Sequence, residues 1–319
     1  MTTTTSARTA APAATGLPVE QPPKTRGAGG LPYGLALPAA LLLVLSLGYP
    51  LVRQVVLSFH EYGLAQQFGR PADFVGLDNY RALVTDTYLW KVLVRTIVFC
   101  LVNAAVTMVL GMAVALLMRV MAGPVRLLVQ AGLLLAWAMP VVASLTVWQW
   151  LFDTQYGVIN WTLSHLGADY EGHAWLLEPL SFYFVATVIV VWMSVPFVAF
   201  TGYAALTQVS EDLTEAAELD GASAWQRLRH VVLPSIRQVL LIIGLLQIIW
   251  DLRVFTQIYV LQQAGGVTRD TNLLGTYIYR LGIGGGDFGT AAAVAMFMLA
   301  LTVILTAPYV RTMLKAEED

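Results

Sequence analysis

Long apolar runs separated by short polar segments dominate the chain. Five long stretches lack any Asp, Glu, Lys or Arg, and they are Gly27–Val52, Thr96–Met118, Leu127–Phe152, Pro179–Ser210 and Phe288–Val310. A sixth run, near Gln238–Gln262, is apolar except for Asp251 and Arg253. A helix needs about 20 residues to cross a hydrocarbon core of about 30 Å, whereas a membrane strand needs only about 10 and alternates strictly. The lengths therefore predict an all-α membrane protein with six transmembrane helices.

Four of the prolines in these runs lie where they should disturb a helix. Proline removes a backbone donor from a helix and clashes with the preceding turn. We therefore expect kinks or span ends at Pro38, Pro50, Pro140 and Pro196. In a membrane such breaks are tolerated where neighbouring helices or water satisfy the freed backbone groups.

The composition agrees with a membrane location. Hydrophobic residues make up 57% of the 319 residues and charged residues only 12%, and the mean hydropathy is +0.68. A soluble domain carries about twice that share of charge. The net charge of −2 gives no reason to expect a nucleic-acid partner. The expected surroundings are membrane lipid.

The two ends of the chain differ from its middle. Residues 1–30 are rich in Thr, Ala, Pro and Gly and contain no hydrophobic run, so they are expected to form a disordered tail. No apolar segment adjoins a cleavage site there, which argues against a signal peptide. The predicted transmembrane domain covers residues 31–314, and residues 315–319 are a short C-terminal tail.

Charges in the loops indicate the orientation. With the N-terminus in the cytoplasm, the inner segments hold ten Lys or Arg residues and the outer segments hold seven. The loop Asp153–Glu178 contains four acids and no Lys or Arg, which favours the outer side. We therefore expect a multi-pass protein of the cell membrane with both termini in the cytoplasm.

A charged segment at about 207–235 interrupts the apolar pattern between the fourth and fifth runs. Ser210 can cap a helix whose first turn is acidic, which suits the positive end of a helix. Gly221 can adopt the left-handed conformation that ends a helix. Ser223 and Gln226 have the spacing of a capping box at the start of a second helix. These residues predict either a docking element or an ordinary solvated helix–turn–helix.

Residues 215–222 read E-A-A-E-L-D-G-A, and Leu233-Pro234 follows about a dozen residues later. This segment resembles the cytoplasmic EAA loop of ABC importer permeases, whose pattern is E-A-A-x-x-D-G-A followed by a hydrophobe and Pro. The resemblance implies the type I ABC importer permease fold, in which this loop is a coupling helix that docks into a separate ATPase. The coupling residues that it implies are Glu215, Ala216, Ala217, Asp220, Gly221 and Ala222.

Shorter motifs resemble the carbohydrate, maltose-type branch of these permeases over about residues 32–314. They include F-V-G-L-D-N-Y at 74–80, G-V-I-N at 157–160 and the stretch from Asp251 to Gly266. Trp250 stands where the family usually has Phe, and Gln262-Gln263 stands where it has Thr. The short segment after the last run resembles the maltose-F-like partner of the two permeases rather than the other one.

The resemblance implies a prokaryotic importer of a sugar or oligosaccharide. Its partners would be a second permease subunit, an ATP-binding cassette ATPase dimer and an extracytoplasmic solute-binding protein. The chain contains no G-x-x-x-x-G-K-[ST] phosphate loop and no His/Cys/acid cluster with metal-ligand spacing. We therefore expect no enzymatic site and no cofactor in this chain, with ATP and magnesium bound by the ATPase subunits.

Polar and aromatic residues inside the runs are candidates for a substrate path, because polar groups in a membrane are costly and tend to face a cavity or a helix partner. Amides, hydroxyls and carboxylates can bind sugar hydroxyls, and Trp rings can stack on sugar faces. The alternative is that small polar residues join helices and Trp marks the membrane interface. The predicted path residues are Gln149, Trp192, Ser194, Gln247, Trp250 and Asp251.

Asp251 and Arg253 are two residues apart, so on a helix they point to nearly opposite sides. Each is then expected to need a neighbouring helix, water or substrate. At 1.5 Å per residue from Arg237, Asp251 lies about 21 Å from the cytoplasmic side. It either lines the path or forms a structural ion pair with the other permease.

Other functions remain open at this point. A permease of the same fold could carry another solute, such as glycerol phosphate or an oligopeptide. An ion-coupled secondary transporter is disfavoured, because only one acid lies inside a run and the halves show no paired broken helices. A membrane enzyme is disfavoured by the lack of a catalytic cluster.

Overall fold

The computed structural model describes the backbone of residues 31–318 and the side chains of residues 34–314. The predicted tail at residues 1–30 lies outside the described residues. Contacts divide the chain into two units, with the boundary between Leu51 and Val52.

Most of the described chain is helical. The helices are α1 (Leu31–Leu43), α2 (Tyr49–Ser58), α3 (Leu64–Gln67), α4 (Asp78–Thr85), α5 (Thr87–Val120), α6 (Gly123–Ala138), α7 (Val141–Leu151), α8 (Val158–His165), α9 (Pro179–Leu206), α10 (Glu211–Leu219), α11 (Ala224–Arg227), α12 (Leu233–Ser235), α13 (Arg237–Leu252), α14 (Thr256–Gln263), α15 (Thr268–Thr271), α16 (Leu274–Tyr279) and α17 (Phe288–Glu318). Wide π-helical turns occupy Val44–Gly48, Leu228–Val232 and Arg280–Gly284. Two short strands, β1 (His60–Glu61) and β2 (Asp73–Phe74), pair antiparallel.

Five described helical segments are long and apolar enough to cross a membrane, and a bent pair of helices raises the number to six. This confirms the predicted all-α membrane fold. In the N-terminal unit, α1 continues through Pro38, and the π-helical turn at Val44–Gly48 ends two residues before Pro50. Pro50 cannot donate a backbone hydrogen bond, which favours such a local widening. Pro196 lies inside α9 without ending it.

The third apolar run is not one helix. The run Leu127–Phe152 was predicted as one span with a kink or an end at Pro140, and α6 and α7 meet there at an angle of 102°. The break falls at Met139 and Pro140, as the proline predicted. Pro140 is tolerated at this point because it precedes the first residue of α7, where a helix lacks a partner for the backbone N–H.

Two other predicted boundaries also change. α5 begins at Thr87 rather than Thr96, because Lys91 and Arg95 belong to its N-terminal turns and not to a loop. α17 continues to Glu318, so residues 315–318 of the predicted C-terminal tail continue the last helix. Ending each predicted span at the first charged residue made both predicted helices too short. Long basic side chains can belong to a span, because they reach the membrane interface from inside it.

The run at Gln238–Gln262 is also interrupted. α13 ends at Leu252 and α14 begins at Thr256, so three residues separate the two helices. The segment Arg237–Gln263 is nevertheless long and apolar enough to cross a membrane as one span. Among the described residues, one pair of helices, α6 and α7, is bent by more than 40°, so the expectation of no paired broken helices in the two halves stays a prediction.

The closest helix contact in the larger unit joins α5 and α9. A Cβ atom built on Gly111 would lie 2.5 Å from the Cβ atom of Val198, and one on Gly202 would lie 3.3 Å from that of Ala115. Small residues at membrane helix interfaces allow the backbones to approach. α13 packs against both α5 and α9, and α17 packs against α13.

Replacing Gly111 with valine should force α5 and α9 apart. Overpacking of this kind typically costs about 1–3 kcal/mol. We expect a lower midpoint of thermal unfolding in detergent and less assembled protein in the membrane. Gly132→Val is the matched control, because nothing lies within 4 Å of a Cβ atom built there. Equal thermal stability of the two variants would contradict the close packing at Gly111.

A polar network fixes the segments at the N-terminal end of α5. Asp86 accepts a hydrogen bond from the backbone N–H of Tyr88 at 2.8 Å and from the hydroxyl of Tyr277 at 3.1 Å. Burial, followed by this bond to Asp86, raises the pKa of Tyr277 above its ordinary value. Arg95 lies 3.7 Å from Asp270, which connects α5 to α15. These contacts hold the region between α14 and α17 against α5.

Candidate functional site

α10, the following turn and α11 form what we call the coupling segment, residues 211–227. α10 begins directly after Ser210, as predicted. The Ser210 side chain makes no capping hydrogen bond, so that part of the prediction is wrong. Glu211 and Asp212 in the first turn still suit the positive end of the helix.

The turn of the coupling segment has a fixed geometry. Gly221 has a φ of +81°, which confirms the predicted left-handed conformation. The N–H of Ala222 donates to the carbonyl of Ala217 at 3.0 Å, and the N–H of Gly221 donates to the carbonyl of Glu218 at 2.9 Å. These two bonds form a Schellman motif, which satisfies carbonyl groups at the end of α10.

α11 is fixed to this turn by its own cap. The side-chain oxygen of Gln226 accepts from the N–H of Ser223 at 2.8 Å, and the Ser223 hydroxyl accepts from the N–H of Gln226 at 3.4 Å. The predicted capping box is thereby confirmed. An ion pair between Glu218 and Arg227 connects α10 to α11. The two short helices consequently have a defined relative direction.

The predicted coupling residues lie on or near the surface of this segment. Glu215, Ala216, Asp220 and Gly221 are exposed, and Ala217 and Ala222 are partly buried. The sequence reasoning missed three exposed apolar side chains beside them. They are Leu213 at 54%, Leu219 at 89% and Trp225 at 64% exposure. Apolar residues within an otherwise charged island were the signal that could have identified them.

The coupling segment is anchored in the membrane helices through one core cluster. Val232 and Ile236, which follow the segment, are buried against Leu206 and Ala205 of α9 and Ala115 of α5. Because these side chains are packed together, a displacement of the coupling segment reaches α5 and α9 directly.

A buried polar pair lies in the second half of α13. Asp251 is 2% exposed, and the side-chain amide of Gln247 donates to its two carboxylate oxygens at 3.0 Å each. The Oε1 atom of Gln247 is buried and has no hydrogen-bond partner among the described residues. A carboxylate held in the membrane by one neutral amide is costly, which marks this pair as a functional candidate.

The expected geometry of Asp251 and Arg253 is wrong. Arg253 lies beyond the last residue of α13, where it is the C-cap residue and is exposed. Asp251 finds its donor one turn earlier on its own helix rather than on a neighbouring helix. Because Asp251 is covered by its own chain, a direct ion pair with another subunit is not available in this conformation.

The predicted Trp residues lie at the surface of the helix bundle. Trp192 meets Trp148 edge to face at 5.7 Å, and both line an apolar cavity of about 860 Å³ between α5, α6 and α9. Trp250 is exposed and packs edge to face on Phe197 at 4.9 Å. Ser194 is partly buried on α9, where it lies between Trp192 and Phe197 in the sequence.

Gln149 lies elsewhere. It is partly buried on α7, and its side-chain amide donates to the carbonyl of Val260 on α14 at 3.2 Å. It lines a separate cleft of about 560 Å³. The structure thus divides the predicted path residues into a closed pair, Gln247 with Asp251, and side chains on more accessible faces.

The long apolar helices define the chain as a membrane protein of several spans. Comparison with known proteins specifies the family. The model of the binding-protein-dependent transport system inner membrane component family matches residues 107–311. The chain belongs to this family.

Relatives extend the match over almost the whole chain. The chain is 44% identical over 297 residues to the diacetylchitobiose uptake system permease protein of Streptomyces coelicolor, covering 92% of this chain and 89% of that protein. It is 31% identical over 283 residues to the trehalose/maltose transport system permease protein of Thermococcus litoralis, covering 88% and 92%.

A solved structure shares the fold. A chain of a bacterial ABC transporter involved in the import of the acidic polysaccharide alginate superposes with a TM-score of 0.75. The match covers 89% of this chain and 95% of that chain, at 21% identity. The permease fold that the EAA pattern implied is thereby confirmed.

Proposed function

We propose that this chain is one of two permease subunits of an ATP-driven importer that takes up a sugar or oligosaccharide delivered by a solute-binding protein. The observation that carries the proposal is the coupling segment, whose exposed face combines acidic and apolar side chains on a rigid turn. Exposed Leu and Trp side chains beside acids are typical of a protein docking surface. The occupant that we propose is an ATPase dimer, which would bind ATP and magnesium.

The substrate class rests on the relatives. The two permeases described above are named for diacetylchitobiose and for trehalose and maltose, and the identity to each extends over most of this chain. All three compounds are neutral carbohydrates built from two pyranose rings. We infer that a di- or oligosaccharide crosses between this chain and the second permease.

The proposed motion follows from the packing. ATP binding would close the ATPase dimer and displace the coupling segment. The cluster around Val232 and Ile236 would pass that displacement to α5 and α9. α13 packs on both helices, so the surroundings of Gln247 and Asp251 would change during each cycle. Access would then alternate between the two sides of the membrane.

The proposal is tested on a purified complex. The chain is tagged, isolated from its native membrane with its partners and reconstituted into nanodiscs. ATP hydrolysis is then measured with the binding protein and with diacetylchitobiose, trehalose, maltose, glycerol phosphate or an oligopeptide. We expect a sugar to stimulate hydrolysis and uptake. Stimulation by only a non-sugar solute would change the substrate class, and uptake driven by an ion gradient without ATP would establish the ion-coupled alternative.

The orientation of the chain has its own test. A reporter fused after Asp319 or inserted near Ala122 should be cytoplasmic, and one near Gly172 should be outside. The last site is decisive, because the bent pair α6–α7 lies between Ala122 and Gly172. If the pair crosses the membrane, the two reporters differ. If it enters and leaves on one side, both are cytoplasmic, and the six-span arrangement is wrong.

A further inference from the structure

A polar stripe follows the C-terminal half of α7 and continues into the next loop. Thr146, Gln149 and Trp150 are spaced at intervals of three and one residues, which places them on one face of α7, and Asp153 follows two residues after the end of that helix. They line the same cleft of about 560 Å³. This volume is within the range of about 300–1,000 Å³ that is usual for small-molecule sites.

The stripe combines an aromatic surface with oriented acceptors. The Trp150 side chain is 55% exposed. The Oδ1 atom of Asp153 accepts from the N–H groups of Gln155 and Tyr156 at 2.9 and 2.7 Å, which fixes the carboxylate and leaves Oδ2 uncommitted by these two bonds. The amide nitrogen of Gln149 is held by the Val260 carbonyl, so its oxygen is also oriented.

The opposite wall of the cleft is preformed. It consists of residues 174–177 and the turn at Ala264 and Gly265. The indole N–H of Trp175 donates to the side-chain oxygen of Asn160 at 2.6 Å, and the Asn160 amide donates to the carbonyl of His173 at 2.9 Å. These bonds fix the wall before any ligand arrives, which lowers the entropy cost of binding.

The chemistry of the lining restricts the ligand. No Lys or Arg is among the residues that line the cleft, and Asp153 disfavours an anion or an acyl chain. A pyranose ring has an apolar C–H face that can lie on an indole and hydroxyl groups that can donate to carboxylate and amide oxygens. The apolar cavity beside Trp192 offers fewer such acceptors, since its lining is dominated by aliphatic side chains.

We propose that this cleft is a carbohydrate subsite at the outer end of α7, where a pyranose ring lies on Trp150 and its hydroxyls donate to Asp153 and Gln149. The proposal rests on the proposed sugar import and on the outer position of the loop that follows α7. It assigns sugar contacts to residues apart from the buried pair Gln247 and Asp251. The subsite would hold sugar released by the binding protein before the path opens.

The test depends on the chain having a single native cysteine, which can be removed. Cys100 is fully buried and is replaced by serine, after which Thr146→Cys provides one thiol in the cleft. The assembled complex in nanodiscs is treated with a membrane-impermeant thiol reagent, with and without free diacetylchitobiose or maltose. At a sugar concentration ten times the dissociation constant, labelling should slow about tenfold, because the thiol reacts only in complexes whose cleft holds no sugar. Leu166→Cys, on the exposed side of the loop, is the control and should show no protection.

A second substitution, at Trp150, tests whether protection of the thiol depends on the indole ring. Trp150→Ala should abolish protection of the thiol at position 146, and Trp150→Phe should retain part of it. Equal labelling with and without sugar in a complex that still imports that sugar would overturn the subsite and leave the proposed function standing. Absence of labelling at position 146 without sugar would show that a partner covers the cleft, which also overturns it. A complex in which no sugar stimulates ATP hydrolysis would instead reject the proposed sugar import.

Discussion

Replacing Gly221 with valine is expected to leave the transmembrane helices inserted while uptake falls by about tenfold or more. Gly221 has a φ of +81°, and this conformation costs a residue with a side chain about 1–3 kcal/mol. A loss of 1.4 kcal/mol in docking corresponds to about tenfold in affinity. Valine is especially unfavourable because it is β-branched. Either the Schellman turn opens, or the strained turn persists with a side chain in the ATPase interface.

Two control variants separate these effects. Gly172 also has a positive φ, of +69°, and nothing lies within 4 Å of a Cβ atom built there. Gly172→Val therefore introduces similar strain far along the chain from the coupling segment, and it should leave coupling intact. Gly221→Asn tolerates the left-handed conformation and should retain most activity. The measurements are subunit stoichiometry, ATP turnover and uptake of the same purified complex. Wild-type values for Gly221→Val in all three would remove the coupling assignment.

Asp251→Asn is expected to stabilise the complex slightly and to reduce uptake by about tenfold or more. The substitution removes a buried charge, and burial of a charge without a counter-ion is costly. Its new amide group could also donate to the Oε1 atom of Gln247, which has no partner among the described residues. A carboxylate that is retained at the expense of stability indicates a role in transport. Stability and uptake should therefore change in opposite directions.

Gln247→Leu provides the comparison for this second prediction. It removes the only described donor to the Asp251 carboxylate and should lower the midpoint of thermal unfolding. Both variants are assayed for assembly in the membrane, thermal unfolding in detergent and uptake in nanodiscs. If Asp251→Asn fails to assemble, the carboxylate is structural, and its assignment to the substrate path is wrong.

The coupling segment could be predicted from the sequence because its structure is local. The left-handed turn at Gly221 and the capping box of Ser223 and Gln226 depend on residues at most five positions apart. Proline also acts locally, and the break at Pro140 was predicted, although α1 and α9 continue through Pro38 and Pro196. The roles of the coupling residues stay predictions, because no partner is part of the structure.

The burial of single side chains and the ends of the helices were harder to predict. Nothing in the sequence near Asp251 indicates that α5, α9 and α17 cover its face of α13, since those helices lie far away along the chain. The helix end before Arg253 was missed because its apolar flanks continue the pattern. The cleft at Trp150 depends on walls from residues 174–177 and 264–265, which only the tertiary structure brings together.

The bend at Met139 and Pro140 also restricts what surrounds this chain in the bilayer. α6 has 16 residues and is therefore about 24 Å long, which is less than the hydrocarbon thickness of about 30 Å. The non-helical backbone at the bend is thus at membrane depth, and Met139 is 40% exposed. Irregular backbone is not tolerated against lipid tails. The surface of the chain around Met139 and Pro140 must therefore face protein or water instead of lipid.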